Sequence, residues 1–257
     1  MKNTIHFLYL IFATAGHAQN TTPPLAVGKI MYNRTTTLPG DMQYNGKTTL
    51  FFNPERSLFV HNNAPTNDIS VNYKELGMTG SVFGDSTGFP ILKLHAEKKV
   101  WFKDYIPFTG RAGIDIIRDT FGTTVWTIDA TQTRTIGGFT CEKATGLYRG
   151  RDYEVWYAPD IPIPSGPFKL GGLPGLIMEA RSTDGNVQFL FTGIEMPLKD
   201  TIKLEMPPGG THDHRNYRQS LEFVERRCRE EEKKFLAQGH IVTYGPPFET
   251  IEKNANN

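Results

Sequence analysis

The chain has 257 residues, 28 basic and 27 acidic, with a formal net charge of +1. So even a balance argues against a general nucleic-acid or anionic-membrane surface, where a basic excess is expected. The length suits one large domain or two small ones.

The first eighteen residues, "MKNTIHFLYLIFATAGHA", read as a secretory signal peptide. Lys2 gives a short positive start, Ile5 to Ala15 is mostly apolar, and Gly16 and Ala18 supply small residues at a cleavage site before Gln19. The apolar run is too short to span a bilayer, and no later segment is long and apolar enough to do so. The expectation is an exported, soluble protein, in the periplasm or secreted, with residues 19–257 forming a single domain.

Short apolar runs broken by turn residues follow, which is a strand-rich pattern. Expected strands are "VGKIMYNRT" (27–35), "KTTLFFN" (47–53), "SLFVHN" (57–62), "ILKLHA" (91–96) and "KVWFKDY" (99–105). The charged "EKK" between the last two suggests a hairpin. Residues 64–90 show weak periodicity and read as an excursion with little regular structure. Further strands are expected at "TTVWTID" (123–129), "TIGGFTCEKATGLY" (135–148), "DYEVWYA" (152–158), "GLIMEARS" (175–182) and "VQFLFTGIEM" (187–196). In these, Tyr153, Val155 and Tyr157 share one face and Asp152, Glu154 and Trp156 the other, while Val187, Phe189 and Phe191 align together. "TDG" at 183–185 marks a hairpin.

Between the last strands runs "DIPIPSGPFKLGGLPGLI" (160–177). Its prolines remove backbone donors and favour extended, irregular chain. Gly171 and Gly172 permit unusual backbone angles, and Leu173-Pro174-Gly175-Leu176 suits a type II turn with positive φ at Gly175. The segment is therefore expected to turn sharply and deliver Leu176, Ile177 and Met178 into the core. It lacks the Gly-Lys-Ser/Thr of a phosphate-binding loop.

One long helix is expected at about 216–238, where Tyr217, Leu221, Val224, Cys228 and Phe235 recur at helical spacing and Gly239 supplies a stop. The fold class is then mainly β, or α+β: a twisted antiparallel sheet, with a curl toward a half-barrel left open, packed on one C-terminal helix.

Few constellations carry chemistry. The two cysteines, Cys141 and Cys228, allow either separate thiols or one disulfide closing a loop of roughly 90 residues, worth about 4–5 kcal/mol. "THDHR" (211–215) places His212 and His214 around Asp213, but lacks the further ligands a stable metal site needs, and Asp213 suits a helix cap. Asp152 and Glu154 read first as the ordinary acids of a half-exposed strand; with Glu179 on a neighbouring strand they would alternatively form a glycosidase-like carboxylate set near Trp156. Arg149 and Arg151 with Lys169 read first as ordinary surface pairs, and alternatively would present cations to an anionic ligand. Trp101, Trp126, Trp156 and Tyr157, with many phenylalanines, read first as core; a curled sheet would instead leave them lining an apolar groove for a peptide, lipid or glycan. No cofactor or catalytic set is expected, and the candidate ligand-binding residues are Arg151, Trp156 and Lys169.

The order of Trp126, Ile136, "CEKA" (141–144), "GRDYEVWY" (150–157), "DIPIPSGPFKLGGLPGLI" (160–177) and Glu179 resembles the GLPGLI family, exported proteins of Bacteroidota with unknown function. The resemblance implies a periplasmic or secreted protein, often encoded beside TonB-dependent receptors, and offers no catalytic residues. The leading expectation is a binding accessory protein of the cell envelope. An exported hydrolase and a purely structural envelope component are the alternatives.

Overall fold

The structure is a computed structural model and describes residues 24–37, 43–61, 70–73, 78–81, 90–105, 114–207 and 216–239. The expected signal peptide and the "THDHR" cluster lie outside these residues.

Alternation of apolar and polar residues produces strands buried on one face. They are β1 (Gly28–Thr37), β2 (Gln43–Phe52), β3 (Arg56–His61), β4 (Ser70–Tyr73), β5 (Met78–Ser81), β6 (Ile91–Leu94) and β7 (Lys99–Tyr105). After these come β8 (Ile114–Thr120), β9 (Trp126–Ile136), β10 (Phe139–Tyr148), β11 (Arg151–Ala158), β12 (Leu176–Ser182) and β13 (Val187–Glu195). The helix α1 is Tyr217–Ala237.

Eleven strands form one antiparallel sheet, ordered β8-β7-β6-β3-β2-β1-β13-β12-β11-β10-β9, and β4 and β5 pair separately. The first strand and the last meet in the middle, where Ile30 of β1 pairs with Ile194 of β13. Laid flat, ten strand spacings of about 4.8 Å would separate the edges by about 48 Å. Yet β8 and β9, the two edges, are joined by residues 121–125 alone. Such a link spans about 20 Å at most, so the sheet curls until its edges approach, while no ladder joins them. A continuous core lies inside the curl, including Tyr32, Phe52, Phe59, Val155, Tyr157, Met178 and Phe189.

The Pro/Gly crossover between β11 and β12 lies inside the curl as well. Ile161, Ile163, Ser165, Leu170 and Leu173 are buried, and Leu176, Ile177 and Met178 are fully so, as expected of a strand delivered into the core. Its backbone is held by side chains from distant strands. Lys93 Nζ donates to Gly166 O at 2.5 Å and Leu170 O at 3.4 Å. Trp126 Nε1 donates to Gly171 O at 2.9 Å, and the Ser57 and Ser165 hydroxyls meet at 2.7 Å. Tyr32 OH donates to Ile177 O at 2.8 Å. Buried carbonyls need such donors, because an unpaired one costs about 1–3 kcal/mol.

Several local expectations change. The left-handed glycine of the crossover is Gly172, at φ +89, and not Gly175. Gly175 serves a steric need instead: a Cβ there would stand 2.2 Å from the Ala158 carbonyl oxygen. Residues 135–148 are not one strand. Gly137 and Gly138, at φ +59 and +88, make the two-residue turn between β9 and β10, because two successive positive φ angles match the twist of a hairpin. Residues 64–90 include the β4–β5 pair, and β8 was not expected from the sequence.

Helix α1 begins where Asn216 Oδ1 accepts from Gln219 N at 2.9 Å, so Asn216 is the cap. It ends at Ala237, and Gly239 follows at φ +80. It meets the sheet through its first turn, at β8 and β7, where Asn216 bridges to Arg118, Tyr217 touches Phe102 and Ser220 is buried. Most described side chains beyond that turn are exposed or half-buried, so α1 leans on the sheet edge rather than lying along it. No described helix is long and apolar enough to cross a membrane.

The Cys141–Cys228 bridge is absent: both are free thiols. Cys141 is sealed in the core of β10, its Sγ donating to Phe139 O at 3.6 Å, whereas Cys228 is half-buried on α1.

Candidate functional site

Strand β11 sets the site. Its burial alternates so that Tyr153, Val155 and Tyr157 are buried while Asp152, Glu154 and Trp156 face outward. Register then brings partners alongside: Lys143 of β10 and Glu179 of β12 both lie opposite Trp156, and Thr145 and Arg181 both lie opposite Glu154. The Arg134 guanidinium, from β9, lies 4.4 Å from the centre of the Trp156 ring and is ion-paired with Glu179. Lys143 Nζ sits 2.7 Å from Glu154. The result is one aromatic ring with two cation–carboxylate pairs around it, assembled from four adjacent strands.

These groups remain reachable. The Arg134 and Glu154 side chains are each 38% exposed, Lys143 21% and Glu179 15%. Nearby, Tyr157 OH donates to Glu142 Oε2 at 2.5 Å; burial, then that carboxylate, pushes the phenol up to about 12. The hydrogen bond from Lys143 holds the Glu154 carboxyl below its usual range. A general acid at neutral pH needs the opposite shift, so Glu154 is suited to accepting hydrogen bonds and not to protonating a leaving group. Burial pushes the Cys141 thiol up to about 11, which leaves it protonated and unreactive. Among the described residues, no group of three or more His, Cys, Asp or Glu side chains could hold a metal ion.

The three residues singled out from the sequence have separate surroundings. Trp156 belongs to the outward cluster. Arg151 is buried and ion-paired with Asp184, which also accepts from Ser182 Oγ at 2.6 Å, so it fastens the β12–β13 turn. Lys169 is buried against Phe102 and Tyr217. Arg134 was missed by sequence reasoning; only the β9–β10 register, broken by a bulge at Glu142/Lys143, brings it to Trp156. The tryptophans have separate surroundings: Trp126 holds the crossover, and Trp101 stacks with Arg118 at 4.8 Å.

Residues 124–218 match the PNGase F-II N-terminal family, described as N-glycanase peptide, N-terminal domain. That interval contains the whole outward cluster and the crossover. Two solved structures of PNGF-II, in the C2 and P21 space groups, share the fold with a TM-score of 0.53 each, at 14% and 15% identity. They align with 79% and 78% of this chain, which spans 33% and 34% of theirs, about a third of their length. No curated protein matches.

Proposed function

We propose that this chain is an exported, carbohydrate-associated accessory protein of the cell envelope, binding glycans or glycopeptides on the outward face of β9–β12. The observation that carries this reading is the Trp156 ring flanked by the Arg134–Glu179 and Lys143–Glu154 pairs, inside the interval similar to an N-glycanase N-terminal domain. A sugar presents hydroxyls that both donate and accept, together with apolar C–H faces. Carboxylates, a guanidinium fork and an aromatic rim meet each of those needs. The GLPGLI resemblance adds an association with TonB-dependent uptake, in which such a protein would hold glycan fragments near a receptor.

An array of glycans and N-glycopeptides tests this. Wild-type protein is expected to bind, and Trp156→Ala to bind roughly five- to thirtyfold more weakly, since loss of one well-placed aromatic contact costs about 1–2 kcal/mol. Unchanged binding by Trp156→Ala, or no glycan bound by folded wild-type protein, would overturn it.

The second reading is a hydrolase using Asp152 or Glu154 with Glu179. The nearness of Glu154 and Glu179 to Trp156 favours it, and the ion pairing of both carboxylates disfavours it. Glycan turnover that disappears in Glu179→Gln while glycan binding survives would establish that reading.

A further inference from the structure

A second cluster, independent of the glycan-binding reading, lies where α1 meets the sheet. Arg149 Nη2 reaches both oxygens of Asp119 at 2.7 Å. Lys169 Nζ stands 4.0 Å from the same carboxylate. It also lies 3.7 Å from the ring centre of Phe102, 4.2 Å from that of Tyr217 and 5.2 Å from that of Phe168. The Arg149 guanidinium is 5.4 Å from the Tyr217 ring centre, and Tyr217 meets Phe102 edge to face at 5.7 Å. Two cations with side chains 3% and 2% exposed thus border one phenol ring. A desolvated cation is drawn to the negative face of such a ring far more strongly than one in water.

Only Lys98, Arg149 and Phe168 are left-handed non-glycine residues among those described, and two of the three, at φ +50 and +52, belong to this cluster. At Arg149 the angle belongs, with Gly150 at φ +76, to the two-residue turn that closes the β10–β11 hairpin and so fixes where its guanidinium enters the cluster. Phe168 lies in the crossover, and a left-handed residue of this kind persists where its surroundings over-determine it. Tyr217 itself is the first residue of a helix that meets the sheet through its first turn.

We propose that Phe102, Arg149, Phe168 and Lys169 form a binding site for an electron-rich aromatic ring, that Tyr217 is its resident occupant, and that this contact latches α1 to the sheet. A phenolic ring from outside the chain then competes for the site and frees the helix.

Hydrogen exchange of the α1 amides in the full chain tests the latch. Tyr217→Phe keeps the ring face and is expected to exchange within about twofold of wild type, whereas Tyr217→Leu exchanges at least about tenfold faster. Lys169→Met, which keeps the apolar stem, also accelerates α1. In Tyr217→Ala, millimolar p-cresol restores protection and the saturated alcohol 4-methylcyclohexanol does not. The proposal is overturned if Tyr217→Leu matches wild type, if Tyr217→Phe is as fast as Tyr217→Leu, or if Lys169→Met leaves α1 unchanged. It also fails if p-cresol has no effect on Tyr217→Ala, or if the saturated alcohol protects equally. Should Tyr217→Ala or Tyr217→Leu not fold, the Tyr217→Phe and Lys169→Met pair still decides.

Discussion

Gly175→Ala is expected to be among the most damaging single-methyl additions in this chain, lowering stability by about 3 kcal/mol, the upper end for overpacking. The new Cβ would lie 2.2 Å from the Ala158 oxygen, 2.7 Å from its carbonyl carbon and 2.9 Å from Pro159 Cα. All three are backbone atoms, so no rotamer change relieves the contact. Ala158 ends β11 and Gly175 immediately precedes β12, so the clash forces apart the two ends of the crossover. Gly185→Ala is the matched control. Its φ of +74 imposes the left-handed cost of about 1–2 kcal/mol, but a Cβ there meets nothing within 4 Å. Thermal melts of the two variants should differ accordingly, with Gly175→Ala falling by about 6–12 °C. Equal melting temperatures would refute a steric role for Gly175.

How much of this was legible beforehand follows the range of the interactions. The alternation in β11 and β13 is local and half-wet, so period two in the sequence translated directly into buried Tyr153, Val155, Val187 and Phe189. The β6–β7 hairpin was equally readable from "EKK". The Gly137–Gly138 turn was not, because strand-forming threonines flank it closely and the run reads as continuous. Strand β8 pairs with β7 as an edge, and "IDIIRDT" alone carries too few residues to fix a period. The crossover's glycines act as backbone devices, as their spacing predicts, but the positive φ falls on Gly172 and not on Gly175. Steric exclusion by Ala158 lies seventeen positions away and leaves no mark on local propensity. Trp156 and Glu179 were visible as a strand face. Arg134, Asp119 and Tyr217 reach their partners only through sheet register and curl, which no window of sequence contains.

Acid is expected to loosen the crossover before it touches the carboxylates. The chain of bonds beneath it has a direction. His95 Nδ1 lies 2.9 Å from the Pro54 carbonyl, which can only accept, so Nδ1 carries the proton and Nε2 accepts from Ser57 Oγ at 3.1 Å. Ser57 in turn accepts from Ser165 of the crossover at 2.7 Å. A second proton on His95 would confront the Ser57 hydroxyl donor, with Lys93, Phe121 and the Pro54 carbonyl around the ring. Burial first, and the Lys93 charge after it, lower His95 to about 4 against the bond to Pro54; burial and then Arg34 lower His61 to about 3. Both folded values lie below the unfolded value near 6.5, so the unfolded chain binds more protons in between. The contribution to stability is therefore complete above pH 6.5 and is lost as pH falls toward 4, on the order of 3 kcal/mol for His95. Burial also holds Lys93 well below its ordinary value, so its own contribution has the same sign at higher pH, rising up to about pH 10.5. Glu154 and Glu195, both held below their usual range by lysine partners, add their loss only below about pH 4.5, a separate window. Urea unfolding at pH 7.5, 6.0, 5.0 and 4.5 should show a declining free energy, with a shallower decline in His95→Gln. A profile flat from pH 7.5 to 5.0 would mean that the His95–Ser57–Ser165 chain does not hold the crossover in the way its geometry requires.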